Sequence, residues 1–160
     1  MLDQALLILT FASAIGSALV AGIFFAFSTF IMSALGRIPA EQGIAAMQSI
    51  NVAVINPLFM AAFMGTGVLC IVLAAGSYFR WEETGAKLAI IASLIYLIGV
   101  IGVTMVFNAP LNDALAAVQP GTAEAANLWA HYLNEWTFWN HVRTVAPLVS
   151  AALFMVALLV

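Results

Sequence analysis

The sequence predicts an all-α fold: a four-transmembrane-helix bundle with an additional amphipathic interfacial helix between helices 3 and 4. Three observations predict it. Of the 160 residues, 65% are hydrophobic and only 7% are charged, against roughly a quarter in an ordinary soluble domain, so there is too little polar surface to face water. The charges leave four gaps, from Asp3 to Arg37, Glu41 to Arg80, Lys87 to Asp113 and Arg143 to Val160, and one crossing needs about 20 largely apolar residues. The long apolar runs lack strand alternation, and in lipid only helices or closed barrels satisfy their own backbone N–H and C=O groups.

The first helix is expected over residues 2–35. It has no basic start and is much longer than the apolar core of a signal peptide, so it is expected to remain in the protein. Ala14, Ala18, Gly22 and Ala26 recur every fourth residue, a small-residue stripe against which a neighbouring helix is expected to pack closely. Gly36 and Pro39 break the chain, and a helix follows over 41–55, stopped by Asn56-Pro57 because a residue before proline disfavours helical geometry. The second crossing is expected over 57–79.

A loop over 80–85 leads through Lys87 into a third crossing that is expected to end near Phe107. Arg80 and Lys87, two of the four basic residues, flank this loop, and the positive-inside rule then puts it in the cytoplasm together with both termini. The connection over 108–138 is long enough for an element of its own. After the Pro120-Gly121 turn, Ala125, Leu128, Trp129, Tyr132, Leu133 and Trp136 follow helical spacing, with Glu124, Asn127, His131 and Glu135 on the other face. This is the amphipathic helix expected to lie along the bilayer surface or to lid the bundle. Residues 144–160 span only about 25 Å at ~1.5 Å per residue, short of the ~30 Å hydrocarbon core, so the fourth crossing must borrow from 139–143. No linker or long repeat divides the chain, and residues 1–160 form a single domain.

Polar side chains are scarce, and they gather. Ser28 and Thr29, Asn51 and Asn56, Asn108, Asn112 and Asp113, and Asn140, His141 and Arg143 all fall at one predicted membrane face, where up-down threading brings the helix ends together. Arg143 is the most informative, because an arginine within a spanning helix needs a partner or water. Asp113 is the first candidate partner and Glu135 the second, with an interfacial arginine snorkelling to headgroups as the alternative. His141 is a candidate general base, and a structural hydrogen-bonding role is equally open. At 100° per residue Trp136, Asn140, Arg143 and Pro147 share a face, whereas His141 and Arg143 are about 200° apart and would have to flank a shared pocket. Phe24, Phe25, Phe27 and Phe30, with Trp129, Tyr132, Trp136 and Trp139, could line that pocket for a flat apolar ligand.

Other chemistries are poorly supported. His131 and His141 stand ten residues apart with no ligand-pair spacing, so no metal is expected, and His131 reads as solvated. A bis-histidine haem would need ligands on two facing helices. Cys70 is alone and reads as a small buried hydrophobe. No phosphate-binding glycine loop occurs, and a net charge of −3 speaks against nucleic acid. The partners expected are the lipid bilayer and a small lipophilic molecule, with a homo-oligomer left open.

Four strings, Gly22-Ile-Phe-Phe-Ala-Phe-Ser28, Ala46-Met-Gln-Ser-Ile-Asn51, Asn108-Ala-Pro-Leu-Asn112 and Trp139-Asn-His-Val-Arg143, make the chain resemble the anthrone oxygenase-like family of small four-helix membrane proteins over nearly its whole length. Ser33 departs from the pattern, where a proline is expected. The resemblance implies a membrane-embedded oxygenase that converts an anthrone-like polycyclic phenol to a quinone with molecular oxygen as co-substrate and no cofactor. His141 would serve as base, with Arg143 and Asn140 at the developing oxyanion. Asn51, Asn108, Asn112, Trp136, Trp139, Phe24 and Ser28 would contact the substrate. Two other classes remain beside it: a non-catalytic binder or carrier of a lipophilic or quinone-like molecule, and a small subunit of a larger membrane assembly.

Overall fold

The computed structural model describes residues 4–160, and the expected start of the first helix at Leu2 lies outside them. The described residues fold into five helices: α1 (Gln4–Leu35), α2 (Ala40–Ala53), α3 (Pro57–Tyr78), α4 (Thr84–Ala117) and α5 (Ala123–Ala157). Among the described residues, α1, α3, α4 and α5 are long and apolar enough to cross a membrane, the make-up of a multi-pass membrane protein. They form a closed ring in which α1 meets α3 and α5, and α4 meets the same two. Asn56 and Pro57 mark the start of α3 as expected: Asn56 Oδ1 caps the helix by accepting from the backbone N–H of Phe59 at 3.0 Å.

The four spans are unequal, and the inequality makes the site. α3 has 22 residues, while α1, α4 and α5 have 32, 34 and 35. At about 1.5 Å per residue the longest exceeds the ~40–45 Å of a whole bilayer, headgroups included. Beyond the start of α3, the ends of the three long helices and the short α2 build a second core, around Met32, Ile44, Met47, Leu115, Trp129, Tyr132 and Trp136. The first core, around Val20, Phe24, Phe63, Leu73, Tyr96 and Phe154, lies within the four-helix ring. Gly43 lets α2 lie against α5, since a Cβ there would sit 2.8 Å from the Trp129 ring. Gln48 on α2 ties down the end of α4 by donating to the carbonyls of Leu115 and Val118, at 2.7 and 3.1 Å.

Three expectations need correction. The amphipathic helix is not a separate interfacial element but the first half of α5, which runs unbroken from Ala123 to Ala157. No proline or glycine interrupts it before Pro147. Its apolar face, Ala125, Trp129, Tyr132 and Trp136, is buried in the second core rather than laid on lipid. The third crossing does not stop near Phe107: α4 continues through Pro110 to Ala117 because π-helical turns at Leu97–Gly102 and Thr104–Asn108 change the hydrogen-bond ladder just before the proline, absorbing the residue that lacks an N–H. The small-residue stripe packs within this chain only at Ala14, which lies in the first core, and in part at Ala26. Each step of four residues turns about 40° past a full circle, so Ala18 and Gly22 face outward while Thr10, Ser13, Ser17, Val20 and Phe24 are buried.

Candidate functional site

Where α3 begins, the space that a longer helix would occupy is open. All five helices line a cavity of about 200 Å³: Phe24 and Phe27 from α1, Met47 and Asn51 from α2, Phe59 and Phe63 from α3, Thr104 and Asn112 from α4, and Trp136 and Arg143 from α5. Phe59 and Phe63 stack at 5.6 Å, and Phe24 meets Phe63 edge to face at 6.3 Å. The volume is below the ~300–1,000 Å³ of drug-sized ligand pockets, so it suits a compact ligand or one that extends through the mouth.

Arg143 sits in this wall, 4% exposed. Neither carboxylate expected to pair with it does so. Among the described residues no acid lies within ion-pair distance of Arg143, and Asp113 and Glu135 are exposed. The guanidinium is held by neutral groups instead. It donates to Asn140 Oδ1 at 2.9 Å and to Thr104 Oγ1 at 3.4 Å, and its carbon stands 4.4 Å from the ring centre of Phe24 and 4.9 Å from that of Trp136. Its Nε–H is buried with no partner. A desolvated cation with an unused donor and no counter-charge beside it is chemically able to attract an anion.

Asn140 fixes that cation. Both hydrogens of its Nδ2 are engaged, one by the Phe24 carbonyl and one by Ser28 Oγ, each at 2.8 Å, which turns Oδ1 toward Arg143. Thr144 gives its hydroxyl proton to the Asn140 carbonyl, so Ser28 must be the donor in the 2.8 Å bond between Ser28 and Thr144. This network meets α1 where a π-helical turn, Phe27–Ile31, begins. Thr104 opens another on α4. Such turns re-aim side chains and recur at functional sites.

The sequence-expected residues divide into three groups. Arg143, Asn51, Asn112, Trp136 and Phe24 line the cavity. Asn140 and Ser28 stand behind it and hold Arg143, while Asn108 is buried at the Trp136 carbonyl, to which it donates at 3.1 Å. His141 and Trp139 do not reach the chamber. His141 is exposed in an outer groove with Ile95, Val145 and Val149, the consequence of its 200° offset from Arg143. Trp139 stacks on Phe107 at 3.5 Å along another outer groove. Thr104 was missed; its signal was a lone hydroxyl between Val103 and Met105 in an apolar run. Among the described residues no group of three His, Cys, Asp or Glu side chains converges to hold a metal ion.

Four helices long and apolar enough to cross a membrane, around an aromatic cavity whose wall holds an arginine with no acidic partner among the described residues, define a class: a multi-pass membrane protein with an internal cationic pocket. Its membership can be stated more closely. The family model described as anthrone oxygenase matches residues 59–153, and the chain belongs to that family. Comparison with the curated proteins finds no match, and neither does comparison with the solved structures.

Proposed function

We propose that the protein is a membrane-embedded oxygenase that takes a polycyclic phenol of the anthrone type, as its enolate, and oxidises it to the quinone with molecular oxygen and without a cofactor. One observation carries the reading: Arg143 is buried in the wall of an aromatic cavity, with no acid beside it among the described residues and an Nε–H unused. An enolate oxygen supplies the missing charge, and fixed donors in a dry site stabilise developing oxyanions more than water does. The family name supports an oxygenase-like role.

The chemistry balances without further reactants. The ring methylene loses a proton, and the enolate carbon adds oxygen to form a peroxide. The peroxide O–O bond then breaks as the carbon's second hydrogen leaves. One oxygen atom stays as the new carbonyl and the other departs as water; the substrate gives up four electrons and oxygen accepts four. The cavity lining holds neither carboxylate nor imidazole, and His141 faces outward, so the proposal assigns the first deprotonation to water at the mouth and gives Arg143 the task of selecting the ionised form. If the α3–α4 connection, between Arg80 and Lys87, is cytoplasmic, the mouth faces the other side of the membrane.

The test uses purified protein in detergent with anthrone under oxygen, following quinone absorbance and oxygen uptake against the spontaneous reaction. Enhancement that survives a chelator and is lost in Arg143→Met supports the reading; turnover no faster than the blank refutes it. The lack of a base in the lining favours one second reading, a binder or carrier of a lipophilic anion, which would bind the compound without consuming oxygen.

A further inference from the structure

The cavity continues outward. It shares Asn51, Ile55 and Asn112 with a larger groove of about 760 Å³ between α2 and the upper part of α4, where Gln48, Val52 and Asp113 form the rim. The groove sets Gln48, Asn51, Asn112 and Asp113 against Val52, Ile55, Ala109 and Ala116, and Val52 and Ile55 are 76% and 73% exposed. This suits a lipophilic compound arriving from the bilayer interface. Asn112 stands at the junction of the two spaces.

The orientation of the Asn112 amide is determined by its neighbours. Trp136 Nε1 lies 2.8 Å from one end of the amide, and an indole N–H can only donate, so that end is the oxygen. Tyr132 OH reaches the same oxygen at 2.7 Å. Nδ2, with two hydrogens, is therefore turned the other way, and it has no hydrogen-bond partner among the described residues. The same Trp136 ring that holds Asn112 also lies 4.9 Å from the Arg143 guanidinium carbon. A flat molecule packed along that indole meets an anion site at its inner end and a neutral donor at its outer end.

We infer that the chamber recognises two oxygens on one fused-ring ligand: an anionic oxygen at Arg143 and an acceptor oxygen, carbonyl or ether, at Asn112 Nδ2. This rests on the enolate-binding reading and narrows the substrate class to polycyclic phenols with a second, peripheral acceptor. Asn112 is then a specificity-determining residue. The apolar ring system alone would bind, but poorly.

The probes are 2-naphthols carrying an acetyl group at position 6 or 7, each compared with the isosteric isopropenyl compound, in which =CH₂ replaces the carbonyl oxygen. Affinities are measured by titration calorimetry in lipid nanodiscs, with empty nanodiscs as the partition control. For the wild-type protein one acetyl isomer should bind about tenfold tighter than its isostere, the worth of one hydrogen bond to a half-buried donor. Asn112→Asp keeps the oxygen that Tyr132 and Trp136 need but removes the donor. In it the preference should fall below about threefold while the isopropenyl compound still binds. Equal binding of acetyl and isopropenyl compounds to wild type, a preference retained in Asn112→Asp, or no binding of any naphthol overturns the inference. A flat series in protein that still oxidises anthrone defeats this inference alone. An intact acetyl preference in protein that consumes no oxygen defeats the oxygenase reading alone.

Discussion

Replacing Arg143 by methionine should separate what the guanidinium does for a ligand from what it does for the fold. Holding a cation out of water costs several kcal/mol. Against that stand a well-formed bond to Asn140 at 2.9 Å, worth about 1.5–3 kcal/mol for a charged donor, and a marginal one to Thr104 at 3.4 Å. The faces of Phe24 and Trp136, at 4.4 and 4.9 Å, add up to about 2 kcal/mol each in a desolvated setting. These contributions are of the same size as the cost and offset it to within about 2 kcal/mol. Methionine fills much of the same volume between the two rings, gives up the charge, and leaves Asn140 Oδ1 without its donor, a loss of about 1–3 kcal/mol. The thermal midpoint in detergent should therefore move only slightly. Turnover of anthrone should fall by about 10²–10³, the usual effect of removing an oxyanion donor. A variant that melts far below wild type would mean that the arginine is chiefly structural. One that turns over at the wild-type rate would remove Arg143 from the chemistry.

Three further outcomes follow from the packing and the network. His141→Ala should leave both turnover and the thermal midpoint close to wild type, because the imidazole lies on the outer face of α5; lost turnover would restore it as the base. Asn140→Leu should destabilise the protein by about 3–5 kcal/mol in denaturant titration, since it frees the Phe24 carbonyl and Ser28 Oγ and leaves the buried cation without its best partner. Gly43→Leu should cost about 1–3 kcal/mol, its Cβ colliding with Trp129 at 2.8 Å. Gly22→Leu, with nothing within 4 Å, is the control that should not change the melting temperature.

The crossings were legible because charge is so scarce that its gaps delimit the lipid-facing runs, and Asn56-Pro57 marked the start of α3 by local sterics alone. The shared face of Trp136, Asn140, Arg143 and Pro147 followed from helical spacing, and all four are buried in the structure. The same spacing already put His141 about 200° from Arg143, and the chamber lies on the arginine's side. The partners of Arg143 were not legible. Charge alone calls for an acid, but two ring faces, an asparagine and a threonine serve instead, and Thr104 reaches the site only through a turn in α4 that no local signal announces. The continuity of α4 past Pro110 rests on π-helical turns that no pattern of apolar residues marks, whereas the lack of any proline or glycine between Trp136 and Pro147 was already open to view for α5.

The π-helical turns on α1 and α4 have a consequence for how the molecule can vary. A π-helical turn holds one residue more than the α-helical turn it replaces, so deleting a single position within Phe27–Ile31 or Thr104–Asn108 should close that turn to α-helical geometry while the segments on either side keep their faces. The loss would be local, to the positions from which Ser28 meets Asn140 and Thr104 meets Arg143. These turns therefore act as slack in long helices. A change of one residue in length can be absorbed there, whereas the same change elsewhere along α1 or α4 would swing everything beyond it by about 100°.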